Sequence, residues 1–272
     1  MVGIALATGV AMTRNVPSSW GLLAGALALA LVGFADDRRD LPALVRLGAQ
    51  AATGMIVGAL VAGVVGALLG LILYSGIVNV VNFMDGINGI SALTVALWGA
   101  NAIVLAHLHD LPRLGVIGAV TMGAALGFLP WNAPVARLFL GDVGSYLFGA
   151  LVAGGILIGW AEGAPRAALA APLAIYVADS GTTIIVRARR REPLLEAHRS
   201  HVYQRLTSSP CWIPHLLVSG FAATVAAVVT VAWYLAPGWA AALASLAAIG
   251  LYLSAPHWMV RRPMSDAVGH EL

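Results

Sequence analysis

The chain has 272 residues, of which 60% are hydrophobic and only 10% are charged. Soluble domains carry charge on about a quarter of their residues, so this composition excludes a water-soluble protein. The 15 basic residues are all arginine, which excludes a Walker A phosphate loop because that motif needs lysine. The single cysteine, Cys211, excludes a disulfide framework and a cysteine-rich metal centre. In so apolar a chain, the net charge of +3 indicates loops facing anionic lipid rather than a nucleic-acid partner.

Apolar segments separated by short polar connections predict an all-α, polytopic membrane bundle. Each segment is a continuous apolar run, whereas the strands of an outer-membrane barrel alternate in character. Helices also satisfy their own backbone hydrogen bonds in lipid. We expect about ten spans of roughly 20 residues in one integral membrane domain over residues 1–272. The segments are 2–13, 16–35, 46–62, 65–81, 90–108, 114–130, 145–161, 167–186, 214–235 and 238–255.

The arginines fall mainly on one side of these predicted spans. Only Arg14, Arg113 and Arg166 lie in the other set of connections. This bias predicts that the arginine-rich connections and the C-terminal tail face the cytoplasm. The arginines on that side are Arg38, Arg39, Arg46, Arg137, Arg187, Arg189, Arg190, Arg191, Arg199, Arg205, Arg261 and Arg262.

Two clusters of acidic and amide side chains lie at cytoplasmic helix ends. Asp36 and Asp37 directly follow an apolar run, and adjacent carboxylates are stabilised by a divalent cation or by arginines. A solvated helix end with local ion pairs is the alternative. The segment NVVNFMDGING, residues 79–89, offers oxygen ligands that hard cations take, in a pattern richer than a turn requires. Its polar members are Asn79, Asn82, Asp85 and Asn88.

Two further clusters flank the seventh and eighth spans. Residues 127–149 contain Asp142 in a glycine-flanked turn that opens the next helix, where free N–H groups can face phosphate. By spacing alone, Asp142 is more simply an N-cap. In residues 187–206, the first four arginines indicate a positive-inside anchor. A second basic group consists of His198, Arg199, His201 and Arg205. We interpret this group as an anion-binding site rather than a zinc site, because zinc normally needs a third ligand.

Asp179 lies inside the eighth predicted span. It is roughly 12 Å of helix from the cytoplasmic end at 1.5 Å per residue. A charged side chain is costly in lipid, so we expect it to face the interior of the bundle. An ion pair with a loop arginine and a catalytic role are both compatible with this position.

Together, the clusters place carboxylates, amides, imidazoles and guanidinium groups on one side of a membrane bundle. This combination suits a diphosphate bound with Mg²⁺, because phosphoryl transfer needs mainly positioning and charge neutralisation. A lipid nucleophile and a water-soluble nucleotide meet only at this interface, so we predict phosphoryl transfer to a lipid. The alternative is a secondary transporter. Transporter sites lie near the midplane, however, whereas here Asp179 is the only ionisable group well inside a span.

Four motifs occur in order over about residues 30–210: GFADDRRD, NVVNFMDGINGI, GFLPWNAPVARLFLGDVGSYLFG and HRSHVYQRL. With them the chain resembles the polyprenyl-phosphate N-acetylhexosamine-1-phosphate transferases, glycosyltransferase family 4. The HRSHVYQ form is most similar to the branch that starts O-antigen and related surface glycans, and it lacks the triple histidine typical of the peptidoglycan enzyme.

The resemblance implies an enzyme of the bacterial inner membrane. It would transfer an N-acetylhexosamine 1-phosphate from a UDP-N-acetylhexosamine to undecaprenyl phosphate and release UMP. This is the first membrane step of surface polysaccharide synthesis. The resemblance also implies a requirement for Mg²⁺, with Mn²⁺ as the alternative ion.

Site residues follow by motif position. Asp142 resembles the principal magnesium ligand, with Asn82 as the second. Asp36 and Asp37 resemble the paired acidic residues that accept the lipid phosphate's proton or assist the metal. A phosphate monoester is largely dianionic at neutral pH, so Asp142, the metal and the arginines matter more than a base. By the same resemblance, Asp85 and Asn88 contact the uridine or its ribose, and Phe139 stacks on uracil. The loop that binds the diphosphate and sugar contains His198, Arg199, His201 and Arg205. His201 also belongs to the catalytic set.

The sequence departs from the family pattern at its start. The family has a further N-terminal helix and a cytoplasmic Pro-Arg-Gly-Gly-type loop before the position of residue 3, whereas this chain begins MVGIAL. We therefore expect that the start has been trimmed or that part of the nucleotide pocket is lost. A third alternative is an inactive relative that only binds polyprenyl phosphate.

Overall fold

The computed structural model describes residues 17–193, 199–208 and 211–259. Within these ranges every regular element is a helix, and eight helical stretches are long and apolar enough to cross a membrane. The prediction of an all-α polytopic bundle is therefore confirmed. The elements are α1 (Pro17–Arg39), α2 (Ala43–Met84), α3 (Ile90–His109), α4 (Pro112–Asn132), α5 (Gly141–Ala161), α6 (Arg166–Ala170), a 3₁₀ turn (Ala171–Leu173), α7 (Ala174–Arg189), α8 (Val202–Thr207), α9 (His215–Leu235) and α10 (Gly238–Trp258).

Helix α2 contains two crossings. Its 42 residues would span about 63 Å if straight, roughly twice the thickness of a hydrocarbon core. The backbone leaves helical geometry at Ala62 and at Gly63, where φ is 59°, a value that glycine adopts without strain. The predicted spans 46–62 and 65–81 are thus the two arms of one hairpin.

Paired glycines bring the arms of this hairpin together. A methyl group at Gly58 would collide with the carbonyl oxygen of Gly66, and one at Gly54 would collide with that of Gly70. Small residues spaced four apart allow helix backbones to approach closely in membranes, where packing replaces the hydrophobic effect. The hairpin therefore fixes the position of its second arm, which ends at Met84, just before Asp85.

Helix α5 lies at the centre of the bundle. In its most apolar stretch of 18 residues, 78% of the residues are buried, compared with 17% in the corresponding stretch of α10. Helices α1, α2 and α4 all pack against α5. Tyr146 and Phe148 of α5 are fully buried with Tyr74 of α2 and Trp98 of α3. Because α5 contacts so many neighbours, the position of its first turn depends on the whole bundle.

The polar clusters lie at one end of the bundle. Helices α1, α2 and α4 end there, and α5 begins there, so Asp37, Asp85, Asn132 and Asp142 meet at this end. At the opposite end, Arg113 pairs with Glu162 at 2.5 Å. The alternation of sides predicted from the arginines agrees with this arrangement.

Some boundaries differ from the prediction. Helix α1 continues to Arg39, so Asp36 and Asp37 lie in its last turn rather than after it. Two arginines at a helix C-terminus interact favourably with the helix dipole, which favours this extension. The eighth span is interrupted by the 3₁₀ turn that contains Pro172. The predicted span 2–13 lies outside the described residues.

Candidate active site

A cavity of about 390 Å³ opens at the polar end of the bundle. It lies where α1 and α2 end and α5 begins, and its volume is typical of small-molecule sites. Three carboxylates and three side-chain amides line it, with no arginine, lysine or histidine in its described wall. Six of the residues selected from the sequence line it: Asp37, Asn82, Asp85, Asn88, Phe139 and Asp142.

Asn82 and Asp142 are directly bonded although they are far apart in the chain. The side-chain nitrogen of Asn82 donates to Oδ1 of Asp142 at 2.5 Å and to the hydroxyl of Ser145 at 3.0 Å. These bonds join the end of α2 to the first turns of α5. Both use the amide nitrogen, so the carbonyl oxygen is the end of Asn82 that can bind a cation.

Asp37 caps helix α5 from another helix. Its carboxylate accepts the backbone N–H of Asp142 at 2.9 Å and that of Val143 at 3.1 Å. The first N–H groups of a helix need such an acceptor. The interpretation of Asp142 as an N-cap is therefore wrong. The N–H groups of Asp142 and Val143 are also not free to face phosphate, because Asp37 accepts both.

Asp36 lies behind the cavity rather than in its wall. It is 5% exposed and accepts hydrogen bonds from the Tyr146 hydroxyl (3.0 Å), the Arg46 guanidinium (3.1 Å) and the Leu41 N–H (2.8 Å). The predicted ion pair exists, but its partner comes from α2 rather than from the neighbouring arginines. The structure thus separates two adjacent aspartates that the sequence treats alike.

This difference predicts that substitution of Asp36 affects mainly stability and that substitution of Asp37 affects mainly activity. We expect Asp36→Asn to lower the thermal unfolding temperature in detergent, because it weakens charge-assisted hydrogen bonds worth about 1.5–3 kcal/mol. Asp37→Asn keeps an oxygen to cap α5 and faces solvent, so we expect a smaller change in that temperature and a larger loss of the phosphoryl transfer that the sequence predicts. An equal loss of stability in both variants would contradict the assignment.

Asp85 follows α2 and faces Asp142 across the cavity. Burial raises the pKa of Asp85 to about 6, and the charge of Asp142 adds to the shift. A raised carboxyl pKa means that the surroundings disfavour the ionised form. A cation in the cavity would relieve that penalty.

Sequence reasoning did not select Asn132, which holds two walls of the cavity together. Its side-chain oxygen accepts the N–H of Gly89 at 2.6 Å, and its nitrogen donates to the carbonyl of Leu138 at 3.0 Å. It is 7% exposed. Its position directly after an apolar span, on the same side as the other amides, is the signal that could have identified it.

Phe139 lines the cavity, and the residue is 77% exposed. Such a large exposed aromatic surface is available for stacking on a planar ligand. Nearby, Asn88 donates to the carbonyl of Pro134 at 3.2 Å, which joins the loop after α2 to the loop after α4. The predicted nucleotide-binding positions Asp85, Asn88 and Phe139 thus all line the same cavity.

The described members of the second basic group, Arg199, His201 and Arg205, do not line the described cavity wall. His201 is 2% exposed, and its Nδ1 lies 3.1 Å from Oδ1 of Asp179. Arg199 and Arg205 are exposed, and His198 lies outside the described residues. The structure therefore does not bring His201, predicted to be catalytic, together with Asp142 in the described cavity wall, because the buried carboxylate of Asp179 binds its imidazole outside that wall.

Comparison with known proteins adds to this geometry. A family model described as glycosyl transferase family 4 matches residues 19–160, which cover the whole described cavity wall and helices α1 to α5 except residues 17–18 and 161. The fourth motif, HRSHVYQRL, lies beyond the matched residues.

Curated relatives are also similar to the chain. The phospho-N-acetylmuramoyl-pentapeptide-transferase of Mycolicibacterium gilvum is 31% identical, over 54% of this chain and 56% of its own. The protein of the same name from Mycobacteroides abscessus is 32% identical over the same shares. That from Mycobacterium bovis (strain BCG / Pasteur 1173P2) is 40% identical over 28% of this chain and 26% of its own. The chain spans little more than half the length of the relatives it matches.

Proposed function

The chain belongs to glycosyl transferase family 4, and on that premise we propose that it transfers a sugar 1-phosphate from a UDP-sugar to a polyprenyl phosphate. The acceptor is undecaprenyl phosphate in the bacterial inner membrane, and the second product is UMP. The observation that carries the proposal is the cavity at the polar end of the bundle, where Asp37, Asp85 and Asp142 meet three amide side chains. A lipid headgroup and a water-soluble nucleotide can both reach this position.

The donor set of the cavity fits a hard divalent cation. Carboxylate and amide oxygens are the ligands that Mg²⁺ takes, and Mn²⁺ accepts them as well. A diphosphate would otherwise meet three like charges with no basic residue in the described wall. The described residues include no group of three His, Cys, Asp or Glu side chains placed to hold a metal alone. Asp142 and Asn82 would therefore share the ion with phosphate oxygens, as is usual for Mg²⁺.

The chemistry needs few protein groups. An oxygen of the lipid phosphate attacks the β-phosphorus of the UDP-sugar, the bond from that phosphorus to the bridging oxygen breaks, and UMP leaves. The attacking phosphate is largely dianionic at neutral pH, so no strong base is required. When bound, the metal ion neutralises charge on the diphosphate and on the leaving UMP.

The residues of the chain position these partners. Asp37 fixes the first turn of α5 and therefore the carboxylate of Asp142. Phe139 stacks on the uracil ring, and Asp85 and Asn88 contact the uridine. Arg199, which precedes α8, and Arg205 of α8 are both exposed and approach the diphosphate and sugar from the cytoplasm.

Exchange of labelled UMP tests the proposal. We expect vesicles containing the full chain to move label from UMP into UDP-N-acetylglucosamine only when undecaprenyl phosphate and Mg²⁺ are both present. EDTA should reduce exchange to background, and Mg²⁺ or Mn²⁺ should restore it. Uptake of the nucleotide sugar without exchange would indicate a transporter. Binding of the lipid with no exchange under any metal, with UDP-N-acetylglucosamine or with UDP-N-acetylmuramoyl-pentapeptide, would indicate an inactive relative.

The donor sugar is of the N-acetylhexosamine type in this proposal. The relatives compared above are named for muramoyl-pentapeptide transfer, whereas the HRSHVYQRL motif of this chain resembles the surface-glycan branch. Release of UMP from UDP-N-acetylglucosamine but not from UDP-N-acetylmuramoyl-pentapeptide would support the second assignment. The reverse result would place the protein in cell-wall synthesis.

A further inference from the structure

Asp179 is a fully buried carboxylate inside the membrane bundle. It is 0% exposed and lies on α7, where an unpaired charge would be costly. Its two oxygens accept hydrogen bonds from the N–H of Val202 (3.1 Å to each) and the hydroxyl of Tyr252 (2.9 Å). The Nδ1 atom of His201 lies 3.1 Å away. Donors from α10 and from the start of α8 thus converge on this one carboxylate.

Helix α8, which Asp179 fixes at its start, packs on residues 82–86, the last residues of α2 and the first residues after it. The hydroxyl of Tyr203 donates to the carbonyl of Phe83 at 3.0 Å, and a methyl group at Gly86 would overlap that hydroxyl. The His201 ring stacks between Tyr203 and Phe83, with centroid distances of 5.6 Å and 6.5 Å. Asn82 and Asp85, which line the cavity, lie in the same segment. A continuous set of contacts therefore joins Asp179 to the cavity wall.

We propose that Asp179 is a positioning residue, whose carboxylate fixes the Nδ1–H tautomer of His201 and the start of α8. It thereby holds residues 199–208 against the side of the cavity that Asp85 and Asn88 line, where the uridine is proposed to bind. Only the kinetic tests of this proposal rest on the function proposed above. Asp179 does not touch substrate and acts through His201 and α8.

The chemistry of the donors supports the tautomer. A backbone N–H and a tyrosine hydroxyl both donate to Asp179, so its oxygens act as acceptors. An imidazole nitrogen next to an acceptor must carry the proton, which leaves the other nitrogen, Nε2, as an acceptor in the neutral ring. Asparagine at this position can present an N–H to Nδ1 and would favour the opposite tautomer.

The ¹⁵N spectrum of histidine-labelled protein tests this without any activity. The chain has 7 histidines, and the signals that disappear in His201→Gln identify the ring in question. We expect a protonated Nδ1 in the wild type and a protonated Nε2 in Asp179→Asn. An unprotonated Nδ1 in the wild-type protein would overturn the proposal even if the variant fails to fold.

Kinetics then separate positioning from a purely structural role. We expect Asp179→Asn to raise KM for the UDP-sugar by about 10–100-fold through misplacement of binding groups, with little change in KM for undecaprenyl phosphate. Tyr252→Phe is the matched control. It removes another bond to the same carboxylate but leaves His201 in place, so we expect both KM values to stay near those of the wild type.

A double-mutant cycle decides whether the effect passes through His201. In the His201→Gln background, Asp179→Asn should add little to the rise in KM, because coupled residues are not additive. Additive effects, or equal effects of Asp179→Asn and Tyr252→Phe, would overturn the proposal. Wild-type protein without exchange activity would overturn the proposed function, while the ¹⁵N spectrum would still decide the role of Asp179.

Discussion

We expect Asp142→Asn to lower the rate of sugar 1-phosphate transfer by about 10³-fold, near the upper limit for loss of one preorganised charge-stabilising group. Asp142 is the carboxylate at the centre of the cavity, where it meets Asn82 and the charges of Asp36 and Asp37. Asparagine keeps the shape of the side chain and an oxygen for Asn82, so the fold should persist. The loss therefore measures the charge at this position.

The matched control for this variant is Asp40→Asn. Asp40 lies at the same end of the bundle, is exposed, and is absent from the described cavity wall. Its backbone has a positive φ of 49°, which asparagine also tolerates. Exchange of labelled UMP should be unchanged in this control. If Asp142→Asn kept more than a tenth of wild-type exchange, the proposed role of Asp142 as metal ligand would be wrong.

The second large effect is expected at Gly33, where α1 contacts the first turn of α5. A methyl group there would overlap the carbonyl of Asp142 and lie 2.7 Å from the nitrogen of Val143. Both are backbone atoms, which cannot move aside as a flexible side chain can. Gly33→Ala must therefore push α1 away from α5 and break the two bonds by which Asp37 caps that helix.

We expect Gly33→Ala to cost about 1–3 kcal/mol of stability, the usual range for overpacking. The same displacement should reduce exchange by about 100-fold, because the capping carboxylate and Asp142 lose their relative position. Thermal unfolding in detergent and the UMP exchange rate measure the two effects.

Gly76→Ala provides the control for the chemical change itself. Gly76 also lies in a membrane helix, but an added methyl group meets no atom within 4 Å. Alanine favours a helix over glycine by about 1 kcal/mol, so this variant should be as stable as the wild type or more stable. If Gly33→Ala behaved like Gly76→Ala, the close contact of α1 with α5 would not position the site.

The helical architecture was predictable because it depends on local properties of the chain. Each apolar run after the first, which covers only residues 2–13, is long enough to cross lipid, and a helix is the local way to satisfy its backbone. Even the hairpin in α2 was visible as two spans separated at residues 62–65. The clustering of Asp37, Asn82, Asp85 and Asp142 at one end followed from the alternation of spans, since odd and even connections must lie on opposite sides.

The contacts within the site were not predictable, because they depend on how each helix is rotated about its axis. Successive residues of an α-helix point about 100° apart, so Asp36 and Asp37 face different neighbours although they are adjacent in the chain. The close approach at Gly33 sets that rotation for α1, which turns Asp37 towards α5 and Asp36 towards Arg46.

The same reason explains His201 and Asn132. Nothing near His201 in the sequence shows that Asp179, 22 residues earlier on another helix, holds its ring. Nothing near Asn132 shows that it bonds Gly89 across the cavity. The sequence alone therefore determined a membrane bundle with its polar residues at one end, because span length and charge bias are local. Only the tertiary structure decided which of those side chains face the cavity and which hold the helices around it, because that depends on the packing of helices distant in the chain.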